Sequence, residues 1–285
     1  MRGEMTKVWI VGAKGHVGSA LARLLDCTEY ELFETDIDEV DVTDRESVAS
    51  FMRITRPDVI INCAGITDVE TCEKNPDLAY HVNAIGARNL AIEADAHECK
   101  LIQISTDDVF ANEKLIPHCE FDATEPCSVY GKSKLAGEQL VSSLSNRYAI
   151  VRSSWVYGIG RDYVNFVLGA AKKGGSLEAP INQVSSPTSA STLASVIKRL
   201  IDNDLYGIYH IVSKGSCSRY EFAKTILEFT GQSDALELIP TEGEGRIRPN
   251  YSVLDTMMLR LDQIEEPGDW KEELRKFLDD TGGNV

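Results

Sequence analysis

This sequence lacks any excess of positive charge. Its 285 residues hold 29 Lys and Arg against 45 Asp and Glu, a formal net charge of −16. A surface of that sign repels phosphate backbones, so nucleic acid is not expected as a partner. Anions then have to be held locally, by helix N-termini and a few placed cations. No apolar run reaches membrane-spanning length, so no membrane partner is expected. Residues 1–10 enter an apolar strand without the short apolar run and cleavage site of a leader, so no signal peptide is expected. The seven cysteines (Cys27, Cys63, Cys72, Cys99, Cys119, Cys127 and Cys217) are odd in number and form no C-x-x-C pair. That argues against a disulfide scaffold and for reduced thiols in a cytoplasmic protein. Neither they nor the five histidines have zinc-ligand spacing, and no acidic cluster compels a metal, so none is expected. Internal repeats and low-complexity segments are absent. What remains is ordinary for a globular protein, 43% hydrophobic and 26% charged, and long enough for a large core in one or two domains.

Residues 7–11 read as a strand, Gly12-Ala-Lys-Gly15-His-Val-Gly18 as a glycine-rich turn, and residues 19–25 as a helix. Strand, turn and helix in that order make a phosphate-binding arrangement, here spaced G-x-x-G-x-x-G. Residues 30–36 read as a second strand ending in Asp36, near where a carboxylate meets an adenosine ribose; Asp38 and Asp41 read as loop acids. Thr43 and Glu46 have capping-box spacing for a helix through about Thr55. Residues 58–65 are nearly all apolar, a strand buried on both faces, and place Cys63 in a packing role. Asn75 and Pro76 predict the start of a helix that carries Asn83 and runs to about His97. Residues 100–106 form a fourth strand, which delivers Ser105 and Thr106 at its carboxyl end, where ligands bind in open α/β sheets. The aperiodic stretch from Asp107 to Cys127 predicts a long functional loop. Residues 148–157 are a fifth strand. This alternation predicts an α/β fold with a doubly wound parallel sheet over residues 1–157. Beyond Gly158 the rhythm changes. Helices are expected at 165–173, 192–202, 219–230 and 270–278, with loops at 182–188 and 243–250. A strand at 207–212 is placed to return to the main sheet, and residues 158–285 mainly form a smaller second domain.

Tyr130 and Lys134, in Ser-Val-Tyr-Gly-Lys-Ser-Lys, are four apart and share one helix face. A phenol with its reference pKa near ~10 is a poor proton shuttle at neutral pH, and a neighbouring ammonium favours the phenolate. The pair reads as an acid able to protonate a developing alkoxide. Alone, the spacing also fits a solvated helix face.

With these residues laid out, the chain resembles the extended short-chain dehydrogenase/reductase superfamily, and within it the dTDP-4-dehydrorhamnose reductase family. The resemblance is carried by the glycine turn, Pro57 to Ala64, Ser105-Thr-Asp-Asp-Val-Phe110, Tyr130 to Glu138, Arg152 to Gly158, Asn182 to Thr188 and Arg248 to Asp255. It implies a Rossmann-like fold and hydride transfer from NADH or NADPH to C4 of a nucleotide-linked 4-keto-6-deoxy sugar. It also implies that Thr106, Tyr130 and Lys134 are catalytic, with Tyr130 the proton donor. The coenzyme site implied is Gly12, Gly15, His16, Val17, Gly18, Asp36, Asp41, Val42, Cys63, Ala64, Gly65, Asn83, Ser105, Tyr130 and Lys134. The implied substrate site is Thr67, Val69, Thr106, Asp107, Trp155, Gln183 and Arg248, and the implied assembly is a homodimer. Two positions depart from the family pattern. Asp108 stands where Tyr is common, and Ser185 where Gly is frequent. Asp107-Asp108 is similar to the acid pair of nucleotide-sugar 4,6-dehydratases, which leaves a dehydratase or epimerase as the second reading. A third is a partner-binding regulatory subunit like that of methionine adenosyltransferase. On the sequence alone, Asp108 is expected to be a solvated or hydrogen-bonding loop residue.

Overall fold

The strand before the glycine turn, β1 (Thr6–Val11), shows how the chain is layered. Its alternate residues serve two cores, Val8 and Ile10 on one face and Trp9 and Val11 on the other. A strand buried on both faces needs helices on both sides. The computed structural model describes residues 5–111, 115–243 and 248–282. After β1 come α1 (His16–Leu24), β2 (Tyr30–Thr35), α2 (Arg45–Thr55), β3 (Val59–Asn62), α3 (Val69–Lys74) and α4 (Pro76–Tyr80). A π-helical turn, His81–Gly86, joins α4 to α5 (Ala87–Ala96). Next are β4 (Lys100–Thr106), a 3₁₀ turn at Asp107–Val109, α6 (Val129–Leu144), β5 (Tyr148–Ser153) and β6 (Val156–Tyr157). Then follow α7 (Tyr163–Lys173), β7 (Ser176–Pro180), β8 (Val184–Ser185), β9 (Thr188–Ser189), α8 (Ala190–Asp202) and β10 (Gly207–His210). The chain closes with β11 (Cys217–Ser218), α9 (Arg219–Phe229), β12 (Glu237–Thr241), α10 (Met257–Leu261) and α11 (Trp270–Asp280).

Six strands form one parallel sheet in the order β10-β5-β4-β3-β1-β2. The chain leaves β1 for β2 on one side and returns to β3 on the other, so the direction reverses between β1 and β3. Such a reversal opens a crevice at the carboxyl ends of the strands. Residues of α1 and α8, among them Leu21, Leu193 and Ile197, cover one face. Residues of α2, α5 and α6, among them Met52, Leu90 and Val141, cover the other. A third core, built around Phe222, joins α7, α9 and α11 beside the crevice. Among the described residues, no helix is long and apolar enough to cross a membrane.

Several local expectations are corrected. Helix α2 is capped by Asp44, whose carboxylate accepts from the Glu46 N–H, and not by a Thr43 box. Thr43 instead donates to Asp41. Asn75 precedes the helix but makes no side-chain cap, and the helix it opens is interrupted by the π turn. The fifth strand stops at Ser153 because the chain turns at Trp155, whose φ of 42° is left-handed. Part of the basic loop expected at 243–250, residues 244–247, lies outside the described residues.

Candidate active site

The crevice is a cleft of about 1270 Å³. That is more than one small ligand needs and suits two side by side. At one end is the glycine turn. Gly15 is the N-cap of α1 and brings no capping side chain, so the first N–H groups of the helix stay free. Gly12 has φ 75° and sits against the β3 loop; a Cβ there would lie 2.7 Å from the Ala64 nitrogen. A Cβ at Gly18 would lie 2.4 Å from the Gly12 carbonyl oxygen. This close packing suits the pyrophosphate of a dinucleotide, with Gly15, His16 and Val17 lining the cleft. Asp36 follows β2 at the same end, and its carboxylate accepts from the Lys14 N–H at 3.2 Å.

Helix α6 starts under the cleft. The Ser128 hydroxyl accepts from the Gly131 N–H and caps it. Tyr130 and Lys134 then line the cleft together with Ser105 and Thr106 from the end of β4. Buried Lys134 donates to the Ile104 carbonyl at 2.6 Å. Burial lowers its pKa to about 8, against the opposing pull of Glu138. The Tyr130 phenol is shifted up, by burial first and Asp108 second, while the neighbouring Thr106 hydroxyl pulls it down. The net direction is therefore upward, where the sequence alone leads to an expected lowering. In this geometry the ammonium donates to a backbone carbonyl, while Asp108 and Asp107 raise the phenol and Arg248 opposes them. Ser105 donates to Glu138, which pairs with buried Arg152 at 2.7 Å, so the β4 end is locked to α6 and β5.

The other expected residues divide. Cys63, Gly65, Thr67, Asp107, Trp155, Gln183 and Arg248 line the cleft. Cys63 is no nucleophile, since burial pushes its thiol up to about 12. Gly12, Gly18, Asp36, Asp41, Val42, Ala64, Val69 and Asn83 do not line it. Val42 and Val69 are buried, and Asp41 shapes the loop before α2. Asn83, on the π turn, pairs with both the N–H and the C=O of Ile66 and donates to Ser133 at 2.9 Å. It clamps the loop after β3 to α6.

Asp107 and Asp108 are corrected as well. Both are buried and both line the cleft. The 3₁₀ turn that follows β4 removes the strand alternation that would have parted them. Asp107 accepts from Ser252 at 2.6 Å, Ser185 at 2.8 Å and Thr106 at 3.2 Å. Burial raises both carboxyls, and Asp107 adds to the rise at Asp108. The three hydroxyl donors favour the ionised form of Asp107, so a proton shared by the pair rests on Asp108.

Arg219 was missed in the sequence. Its guanidinium lies 3.6 Å from the Trp155 ring centroid and 4.7 Å from that of Tyr163, and it lines the cleft. Burial, then Arg248, lowers its pKa to about 10. The signal was its place. The Ser218–Glu221 capping box puts Arg219 first in α9, where a cation opposes the helix dipole.

The family model described as the RmlD substrate binding domain matches residues 5–282. The spore coat polysaccharide biosynthesis protein SpsK of Bacillus subtilis is 37% identical over 277 residues, 96% of this chain and 97% of that protein. A dTDP-4-dehydrorhamnose reductase of Aggregatibacter actinomycetemcomitans is 33% identical over 289 residues, 96% of this chain and 98% of that one. A solved dTDP-4-dehydrorhamnose reductase of Bacillus anthracis, in complex with NADP, has a TM-score of 0.93 at 38% identity, over 97% of this chain and 99% of that one.

Proposed function

The chain belongs to the RmlD family, the dTDP-4-dehydrorhamnose reductases of the extended short-chain dehydrogenase/reductase superfamily, and on that premise we propose that it reduces the C4 ketone of a nucleotide-linked 4-keto-6-deoxy sugar. The observation that carries this reading is the meeting of Thr106, Tyr130 and Lys134 in one cleft with the glycine turn. A bound NADH or NADPH supplies the hydride. Tyr130 gives its proton to the carbonyl oxygen as the alkoxide develops, and Thr106 orients that oxygen. Lys134, fixed by Ile104, holds the ribose next to the ring that carries the hydride. Arg219 and Arg248 face the substrate diphosphate, the local cations that an acidic protein needs. In this reading residues 1–157 bind the coenzyme, residues 158–285 mainly bind the sugar nucleotide, and the protein works as a cytoplasmic homodimer.

The experiment is to mix the protein with NADH or NADPH and dTDP-4-dehydrorhamnose and to follow the absorbance of the reduced nicotinamide. Stoichiometric loss is expected. Release of a 4-keto product from dTDP-glucose without net coenzyme change would overturn the reading in favour of a dehydratase. Inactivity in both assays with coenzyme binding retained would favour a regulatory role. The state of Asp107 argues against dehydration, because an acid and base pair needs both carboxyls and Asp107 is held by three hydroxyls. With Asp36, Asp38 and Glu39 beside the adenosine ribose position, NADH is expected to serve at least as well as NADPH. A strong NADPH preference unaffected by Asp36→Ala would contradict that role.

A further inference from the structure

Asp108 is a buried acid of the cleft that the proposed reaction leaves without a task. It is 4% exposed, and its Oδ2 accepts no hydrogen bond among the described residues. A buried oxygen left without a donor is costly, so it calls for a partner that arrives with the ligand. Its neighbours do not fill that place. The hydroxyls of Thr106, Ser185 and Ser252 are given to Asp107. Arg248 Nη1 stops 3.9 Å from Oδ2, beyond hydrogen-bond reach. It offsets charge without occupying a lone pair.

The backbone says which part of a substrate comes near. The Asp108 carbonyl packs on α6 at Gly131, the residue after Tyr130, where a Cβ would lie 2.3 Å from the Asp108 oxygen. That ties the carboxyl to the reacting end of the cleft, with Thr106 and Tyr130. The fixed cation of the substrate end, Arg219 on the Trp155 and Tyr163 rings, suits the diphosphate instead.

We infer that Asp108 is a specificity-determining residue that accepts a hydrogen bond from the ring hydroxyl on the carbon next to the ketone. The inference rests on the reductase reading. In a 4-keto-6-deoxy hexose that hydroxyl is on C3, because C5 bears the ring oxygen and C6. Ionised or protonated, the carboxyl keeps an oxygen that can accept, so the contact does not depend on where the proton of the acid pair rests. A site built around such a contact discriminates strongly against an analogue that leaves its polar group unpaired.

The test compares kcat/KM for dTDP-4-dehydrorhamnose and its 3-deoxy counterpart in the full chain, in Asp108→Ala and in Asp108→Asn. Coenzyme binding serves as the check on folding. The wild type is expected to prefer the hydroxylated sugar by ~10²-fold or more. Asp108→Ala should bring the preference within ~10-fold, mainly by losing the hydroxylated substrate. Asp108→Asn keeps an acceptor and should retain part of the preference. Should Asp108→Ala lose coenzyme binding, Asp108→Asn and Asp108→Ser carry the comparison. An undiminished preference in the variants that bind coenzyme overturns the inference. Asp108-dependent uptake of solvent deuterium next to the ketone also overturns it, since that makes the carboxyl a base at carbon. If the wild type oxidises coenzyme with neither sugar, the reductase reading itself fails.

Discussion

In the proposed reaction Tyr130 would start from an unfavourable point, since burial and Asp108 both hold the proton on the phenol. A phenol that keeps its proton until an alkoxide forms beside it is still a competent donor, because the alkoxide is the stronger base. Tyr130→Phe is therefore expected to keep coenzyme binding and to lower turnover by ~10²-fold or more. Near-normal turnover would remove Tyr130 from the mechanism. Lys134 contributes a pH dependence. Its pKa is lowered to about 8, so its positive charge is present below that pH and is lost above it. The value of kcat/KM should fall on the alkaline side, with a midpoint near pH 8. Lys134→Arg keeps its charge through that range and should flatten this limb, at a lower overall rate. An unchanged limb in Lys134→Arg would assign the titration to another group.

At the level of elements, the π turn between α4 and α5 matters because it aims Asn83 at the loop after β3. Asn83→Ala leaves the Ile66 N–H and C=O and the Ser133 hydroxyl short of a partner. The expected loss is ~1–3 kcal/mol of stability, together with weaker coenzyme binding, since Cys63, Gly65 and Thr67 lose their anchor. Urea unfolding and coenzyme titration check both, and an unchanged coenzyme affinity would limit Asn83 to stability. The sheet strands and helix α6 were legible because their signals are local: apolar runs, a glycine turn, Ser128 before a helical period. The state of the acid pair was not. Asp107 is held by Ser185 and Ser252, 78 and 145 residues away, and no window along the chain contains them together. The 3₁₀ turn that buries both acids gives no periodic signal. The Thr43–Glu46 spacing marks the helix start but not its cap, because Asp44, one residue on, competes for the same N–H groups.

For the molecule as a whole, the cleft lies between the sheet and the Phe222 core, so a ligand that fills it would touch both. A ligand at a hundred times its Kd stabilises the fold by ~2.7 kcal/mol, a rise in Tm of several degrees. Both NADH and dTDP should raise Tm in the wild type. In Arg219→Met the dTDP shift should shrink strongly while the NADH shift persists, as thermal unfolding with each ligand alone would report. Equal dTDP shifts in both proteins would remove Arg219 from the diphosphate site. The returning strand β10 has a consequence for how the protein is made. During synthesis β5 leaves the ribosome before β10 has been translated, and until then its outer backbone groups are unpaired. An open parallel edge of this kind is a template for a second chain. The first half of the protein cannot finish folding before the second half is translated, and a chain terminated after β5 is expected to precipitate.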